Sequence, residues 1–233
     1  VAAASDLRVA FERVLAVWRS RPGAVPVEAI YGSSGQLYTQ IRQGAPFDLF
    51  LSADTTYPQR LIEEGLVVPA SEFRYARGLI FLWARADSPL PVETLGLEVL
   101  RDPRVQKIAI AHPEHAPYGR AAVAALRHAG LDELVEPRLV RAENVAQAAQ
   151  FVQSGAADVG ILANALVFAP PLQDRGQQWQ IPPDSYPPLV QMGVILRRSR
   201  QRPAAEQLRA LILSEEGQAI LRQFGFLPAD ESP

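Results

Sequence analysis

The sequence predicts an α/β protein of two lobes, joined by two crossing segments, with a ligand cleft between them. Three observations carry that expectation. Short apolar runs alternate with helix-spaced patterns in two separate sets. The second set is bracketed by two long extended stretches, "RYARGLIFLWAR" from Arg74 and "LVQMGVILRR" from Leu189. Two helical segments are left over at the C-terminal end and have nowhere to pack but the first set. Residues 1–79 with 195–233 are therefore expected to form lobe I, and residues 80–194 lobe II.

In the first set, residues 1–4 read as a strand, and Leu7, Phe11, Val14, Leu15 and Trp18 follow with the spacing of one helix face. Residues 25–31 read as a second strand, with a helix over 36–43 that Gly44 closes. "DLFLSAD" is a third strand, and a helix over 58–64 ends at Gly65. The second set repeats the unit: "KIAIA" then a helix over 118–129, "RLVRA" then a helix over 145–154, and "DVGIL". A proline-rich tract fills 170–188, and the last helices are expected over 204–213 and 216–224. This alternation is the pattern of a parallel sheet in each lobe.

Composition excludes several functions. Of the 233 residues 48% are hydrophobic and 21% charged, an ordinary globular balance. The net charge is −2, and the densest basic cluster, Arg197, Arg198, Arg200 and Arg202, has no interleaved aromatic residue, which argues against a nucleic-acid partner. No apolar run reaches the ~18 residues that would cross a bilayer. The sequence contains no signal segment, yet its opening Val1-Ala2-Ala3-Ala4 reads as the middle of a buried strand, so removal of an upstream segment is expected. Cysteine is absent, which rules out disulfides, thiolate nucleophiles and Cys-type zinc sites.

Four strand-to-helix junctions carry small or polar residues: "AASDL" at 3–7, "GSSG" at 32–35, "APYG" at 116–119 and "AENV" at 142–145. In a parallel sheet such junctions lie at the carboxyl ends of strands, where ligands bind. Each helix start offers unpaired N–H groups and roughly half a positive charge, so four starts would match a small dianion with about two positive charges. Taken singly, each junction is most simply an N-cap; only their shared location points to a ligand.

Other candidates carry less. His112 and His115 in "HPEH" have a metal-like spacing, but Pro113 favours a loop and no third ligand is evident. His128 reads as a surface residue near a helix C-terminus. "GSSG" lacks both the G-x-S-x-G pattern of a nucleophile elbow and the Lys of a phosphate loop. Asp48 and Asp54 flank a strand, where carboxylates are usually caps or turn formers. No catalytic constellation is evident, so the protein is not expected to be an enzyme.

"AAASDL", "YGSSGQLYTQIRQGAPFDLFLSAD", "AHPEHAPYG" and "AENVAQA" with "GAADVGIL" resemble, in order, the periplasmic molybdate-binding proteins of ABC transporters. The resemblance runs on to "GFLP" near the end of the chain. It implies a periplasmic-binding-protein-like fold that holds a tetrahedral oxyanion by hydroxyls and backbone N–H groups and closes its lobes on it. The implied ligands are Ser5, the backbone N–H of Asp6, Ser34, Tyr118 and Val145, with no cofactor and no metal held by protein side chains; molybdenum enters only within the oxyanion. Val145 can offer only its N–H. Some members of the family place a tyrosine where this chain has Ala163, and Tyr118 is expected to supply the phenol instead. Ser33 is expected to act as a cap.

Asp6 departs from the neutral residue that family members can carry, and its side chain is expected to turn away and cap the helix. The resemblance further implies an extracytoplasmic monomer that binds molybdate, and tungstate with it, and delivers it to a membrane permease. The rivals are a binding protein for another tetrahedral oxyanion, phosphate or sulfate, and the effector-binding domain of a regulator. An inward-facing Asp6 would favour phosphate, which still carries a proton at neutral pH.

Overall fold

The computed structural model describes residues 1–230. Among the described residues the chain forms two compact units, one built from Val1–Arg77 together with residues 190–230, the other from Gly78–Leu189.

The first unit opens with β1 (Ala2–Ala4), a single 3-10 turn (Ser5–Leu7) and α1 (Arg8–Arg19), then β2 (Ile30–Gly32), α2 (Ser34–Arg42), β3 (Leu49–Ser52), α3 (Thr56–Glu63) and β4 (Phe73–Gly78). The second unit holds β5 (Ile80–Arg85), α4 (Val92–Leu95), β6 (Ile108–Ala111), α5 (Pro117–His128), α6 (Asp132–Val135), β7 (Leu139–Ala142), α7 (Val145–Gln153), β8 (Val159–Ala163), α8 (Asn164–Val167) and β9 (Gly176–Gln180). The chain then returns to the first unit as β10 (Leu189–Ile195), α9 (Arg202–Leu213) and α10 (Glu215–Gln223).

Both sheets are mixed, which corrects the expectation of parallel sheets. In the first, ordered β2-β1-β3-β10-β4, β1 runs parallel to β2 and β3, while β10 is antiparallel to β3 with Met192 opposite Ser52. In the second, ordered β7-β6-β8-β5-β9, β6 is parallel to β7 and β8, while β5 is antiparallel to β8 and β9. The antiparallel strands are those next to the two crossings, where no helix intervenes to reverse the chain.

The extended stretch from Arg74 is two strands in different sheets. The break falls at Leu79, whose N–H donates to Asn164 Oδ1 at 3.0 Å and whose carbonyl accepts from Asn164 N at 3.0 Å. The returning stretch belongs to the first sheet almost throughout, because β10 pairs with β3 along Met192–Ile195. The boundaries therefore fall at 77/78 and 189/190 rather than at 79/80 and 194/195. The strand expected over 25–31 shortens to Ile30–Gly32, for only Ala2–Ala4 is there to pair with it. Strand β9 lies within the tract read as merely proline-rich; "GQQWQ" has no apolar alternation to announce it.

Burial explains the helices. Phe11, Val14, Leu15 and Trp18 form the buried face of α1, which packs against α9 and α10, and Trp18 donates to Val25 O at 2.8 Å. Each such apolar side chain contributes about 1.5–3 kcal/mol on burial. Leu37 and Ile41 of α2 pack with Leu61 of α3 over Ala2, Phe50 and Val194 of the sheet. These layers fix the strand ends from which the candidate residues project. Among the described residues no helix is long and apolar enough to cross a membrane.

Candidate functional site

In the first unit the candidate residues gather at the carboxyl ends of β1, β2 and β3. Ser5 and Asp6 form the 3-10 turn that carries β1 into α1, and they are 4% and 1% exposed. No side-chain cap is made at Ala4 or Leu7. The Asp6 carboxylate corrects the expectation of a helix cap. Its Oδ2 accepts a 2.5 Å hydrogen bond from Nε2 of Gln191 on β10, a side chain with no exposure. A buried carboxylate needs such donors, because leaving it in an apolar interior is costly.

Ser33 and Ser34 have different duties. Ser33 is the N-cap of α2 and closes a capping box: its Oγ accepts from Gln36 N at 3.4 Å, and its N–H donates to Gln36 Oε1 at 3.4 Å. Ser34, fully buried at the first helical position, accepts from Ala53 N through its Oγ at 3.0 Å. That bond uses a lone pair and leaves the hydroxyl proton to be donated. Gly32 has no left-handed backbone, and a Cβ there would meet Leu37 at 3.4 Å, an ordinary contact. The fold itself therefore does not demand glycine at this position.

Behind these residues lies a buried polar layer that sequence reasoning missed apart from Asp54. Tyr75 of β4 donates to Ser52 O at 3.0 Å, Ser52 Oγ donates to Asp54 Oδ1 at 3.1 Å, and Asp54 N donates to Ser52 Oγ at 3.3 Å. Asp54 is thus a turn former, as strand-end carboxylates usually are. Burial, then the charges of Asp6 and Asp54, push the Tyr75 phenol well above its ordinary pKa, so it remains a neutral donor. The only sequence signal for Gln191 is a polar residue inside an apolar strand, "LVQMGVI".

In the second unit Tyr118 and Val145 stand at two helix starts. Pro117 opens α5, and Tyr118, 2% exposed, follows it. Gly119 is required here: a Cβ would lie 2.2 Å from Ala111 O and 2.8 Å from Ala111 C, so glycine alone lets the helix start come down on the end of β6. Val145 is the first residue of α7, capped by Asn144 Oδ1, which accepts from Gln147 N at 3.0 Å. Gln147 Oε1 accepts in turn from Glu143 N at 2.7 Å. The N–H of Val145 lies in the first turn, where no intrahelical acceptor exists.

The "HPEH" motif has a structural account. The His112 and His115 rings stack with centroids 4.8 Å apart, His112 N donates to Ala142 O at 2.7 Å, and His115 Nε2 lies 3.2 Å from Glu143 O. The pair ties the β6–α5 junction to the β7–α7 junction. Among the described residues no three His, Cys, Asp or Glu side chains are grouped as a metal site. Ala163 ends β8 with no exposure, and Asn164 follows it to bind Leu79.

Each unit thus presents two helix starts with neutral donors, an arrangement suited to an oxyanion rather than to covalent chemistry. The chain belongs to the bacterial extracellular solute-binding protein family, whose pattern matches residues 1–227. It is 39% identical over 197 residues to the molybdate-binding protein ModA of Rhodobacter capsulatus, covering 84% of this chain and 75% of that protein. It is also 37% identical over 196 residues to the molybdate-binding protein ModA of Azotobacter vinelandii, covering 84% and 77%. Its fold matches the solved periplasmic molybdate-binding protein of Azotobacter vinelandii with a TM-score of 0.90, at 34% identity, over 97% of both chains.

Proposed function

We propose that this protein binds molybdate, and tungstate of nearly the same size, with high affinity outside the cytoplasm and delivers it to the membrane permease of an ABC transporter without turning it over. The observation that carries this reading is the likeness, across 97% of both chains, to a solved periplasmic molybdate-binding protein. The donors are the hydroxyl and N–H of Ser5, the N–H of Asp6, the hydroxyl and N–H of Ser34, the phenol of Tyr118 and the N–H of Val145. None is cationic, and the helix starts supply the positive potential. The fully deprotonated oxyanion asks only for donors, and each of the groups named can donate a hydrogen bond.

Thermal unfolding with molybdate, tungstate, sulfate and phosphate tests the reading. At 100 times its dissociation constant a ligand adds about 2.7 kcal/mol. For a chain of this size that raises the melting temperature by roughly 5–10 °C. Absence of a shift with either molybdate or tungstate would refute the proposal.

A further inference from the structure

Arg8 is the first residue of α1, directly after the Ser5–Leu7 turn, and it is exposed. Helix side chains lean back toward the N-terminus, which directs this one toward the turn. Its guanidinium carbon stands 4.9 Å from the centroid of the Tyr31 ring. Tyr31 pairs with Ala3 across β1 and β2 and directly precedes Gly32 and Ser33. The cation thus bridges the two strand-to-helix junctions of the first unit.

We propose that Arg8 is an electrostatic capture residue: a fixed positive charge at the rim of the first unit's junctions that draws in the oxyanion without bonding it. This rests on the reading that Ser5 and Ser34 donate to the anion. Arg8 stands three residues from Ser5 and Tyr31 three from Ser34, a separation of at most about 11 Å along the chain. That is close to one Debye length, about 10 Å, at 0.1 M salt. Over such a distance a cation still attracts a dianion, raising its local concentration and slowing its escape. The neutral donors then fix the anion in place.

The surroundings leave this charge available. Glu12, one helical turn on, is where an ion pair with Arg8 would be expected. Its oxygens are engaged elsewhere: the Tyr31 hydroxyl donates to Oε1 at 2.9 Å, and Arg19 Nη2 donates to Oε2 at 3.4 Å. Burial, then the hydrogen bond to Glu12, raise the Tyr31 pKa well above its ordinary value. The ring beneath Arg8 is therefore a neutral phenol and not a competing anion. Its π face holds the guanidinium in position and leaves the positive charge uncancelled.

The test is isothermal titration of the full chain with molybdate in about 20 mM and about 500 mM sodium chloride, where the Debye length is roughly 20 Å and 4 Å. Wild-type binding tests the functional reading, and its absence would remove that reading and this inference with it. The difference between variants tests the inference alone. Arg8→Gln is expected to weaken molybdate about three- to tenfold at the lower salt and less than about twofold at the higher. Arg8→Lys keeps the charge and should stay within about twofold of wild type at both. Arg197→Gln is the control for net charge. Arg197 is exposed and follows Leu196, whose N–H donates to Asp48 O at the amino end of β3, the end away from Ser5 and Ser34. Its loss should leave the affinity unchanged. An Arg8→Gln protein that binds like wild type at the lower salt, or one that loses equally at both salts, would overturn the proposal. So would an Arg8→Lys protein as weak as Arg8→Gln, or an equal loss in Arg197→Gln.

Discussion

Replacing Gly119 by alanine tests how the second unit presents its donors. The added Cβ would lie 2.2 Å from Ala111 O and 2.9 Å from His112 C, both backbone atoms that no rotamer change can move. An ordinary carbon–oxygen contact needs at least ~3.2 Å, so the start of α5 must retreat from β6 by about 1 Å. Overpacking of this kind costs about 1–3 kcal/mol. With 1 kcal/mol worth about 2–4 °C in a chain of this length, the melting temperature should fall by roughly 2–12 °C.

The retreat also carries Tyr118 with it, because Tyr118 is the residue before Gly119 on the same turn. A hydrogen bond to a charged group is worth about 1.5–3 kcal/mol, so losing one donor should weaken molybdate about 10- to 100-fold. Calorimetric titration and thermal unfolding read the two effects separately. Gly32→Ala serves as the comparison. Its Cβ meets only Leu37 at 3.4 Å, so its melting temperature should stay near that of wild type. Any loss of affinity in that variant reports the approach of the ligand rather than strain in the fold. A Gly119→Ala protein that melts like wild type and keeps molybdate affinity within about twofold would refute the packing argument.

Ser33→Ala and Ser34→Ala should separate cleanly. The first removes an N-cap and is expected to cost about 1 kcal/mol of stability while leaving molybdate affinity in place. The second is expected to weaken binding by about 10- to 100-fold; equal effects of the two on titration would contradict the assignment. Tyr75→Phe probes the buried layer through pH. The folded protein raises the phenol's pKa above 10.0, so it keeps a proton that the unfolded chain loses. The corresponding stability is complete below that pH and is lost as pH rises beyond it. Melting temperatures followed from about pH 9 to about pH 11 should fall more steeply for wild type than for Tyr75→Phe. Tyr31 and Tyr38, whose pKa values are also raised, contribute equally to both proteins; parallel curves would remove Tyr75 from the account.

The helices and junctions were legible because their signals are local. A helix needs its spacing and its cap within a few residues, and Ser33 with Gln36 or Asn144 with Gln147 displays both. Boundaries moved by one or two residues at most of these helices, as caps allow. Strand partners were less legible. Nothing in residues 74–85 marks Leu79 as the break, since the break is made by Asn164, far along the chain. Strand β9 pairs with β5 through backbone groups, and its side chains, mostly glutamine, follow no apolar period. The Asp6 side chain was misread for the same reason. From sequence its nearest acceptable duty is the adjoining helix start, whereas its partner is an amide 185 positions later.

That misreading bears on how an anion site can be built from neutral groups. A donor is useful to a ligand only if its own lone pairs and neighbours are already committed, for otherwise it must reorganise on binding. Ser34 meets that condition: Ala53 N–H occupies its oxygen, and α2 fixes its backbone. Asp6 meets it differently, through a side chain tethered by Gln191 while its N–H belongs to the turn. In both residues the constraint comes from the sheet of the first unit, through β3 and β10, and not from the ligand. Substitutions in the sheet that loosen these tethers should therefore weaken binding without touching a single donor, and Gln191 is the residue at which that expectation is most exposed to test.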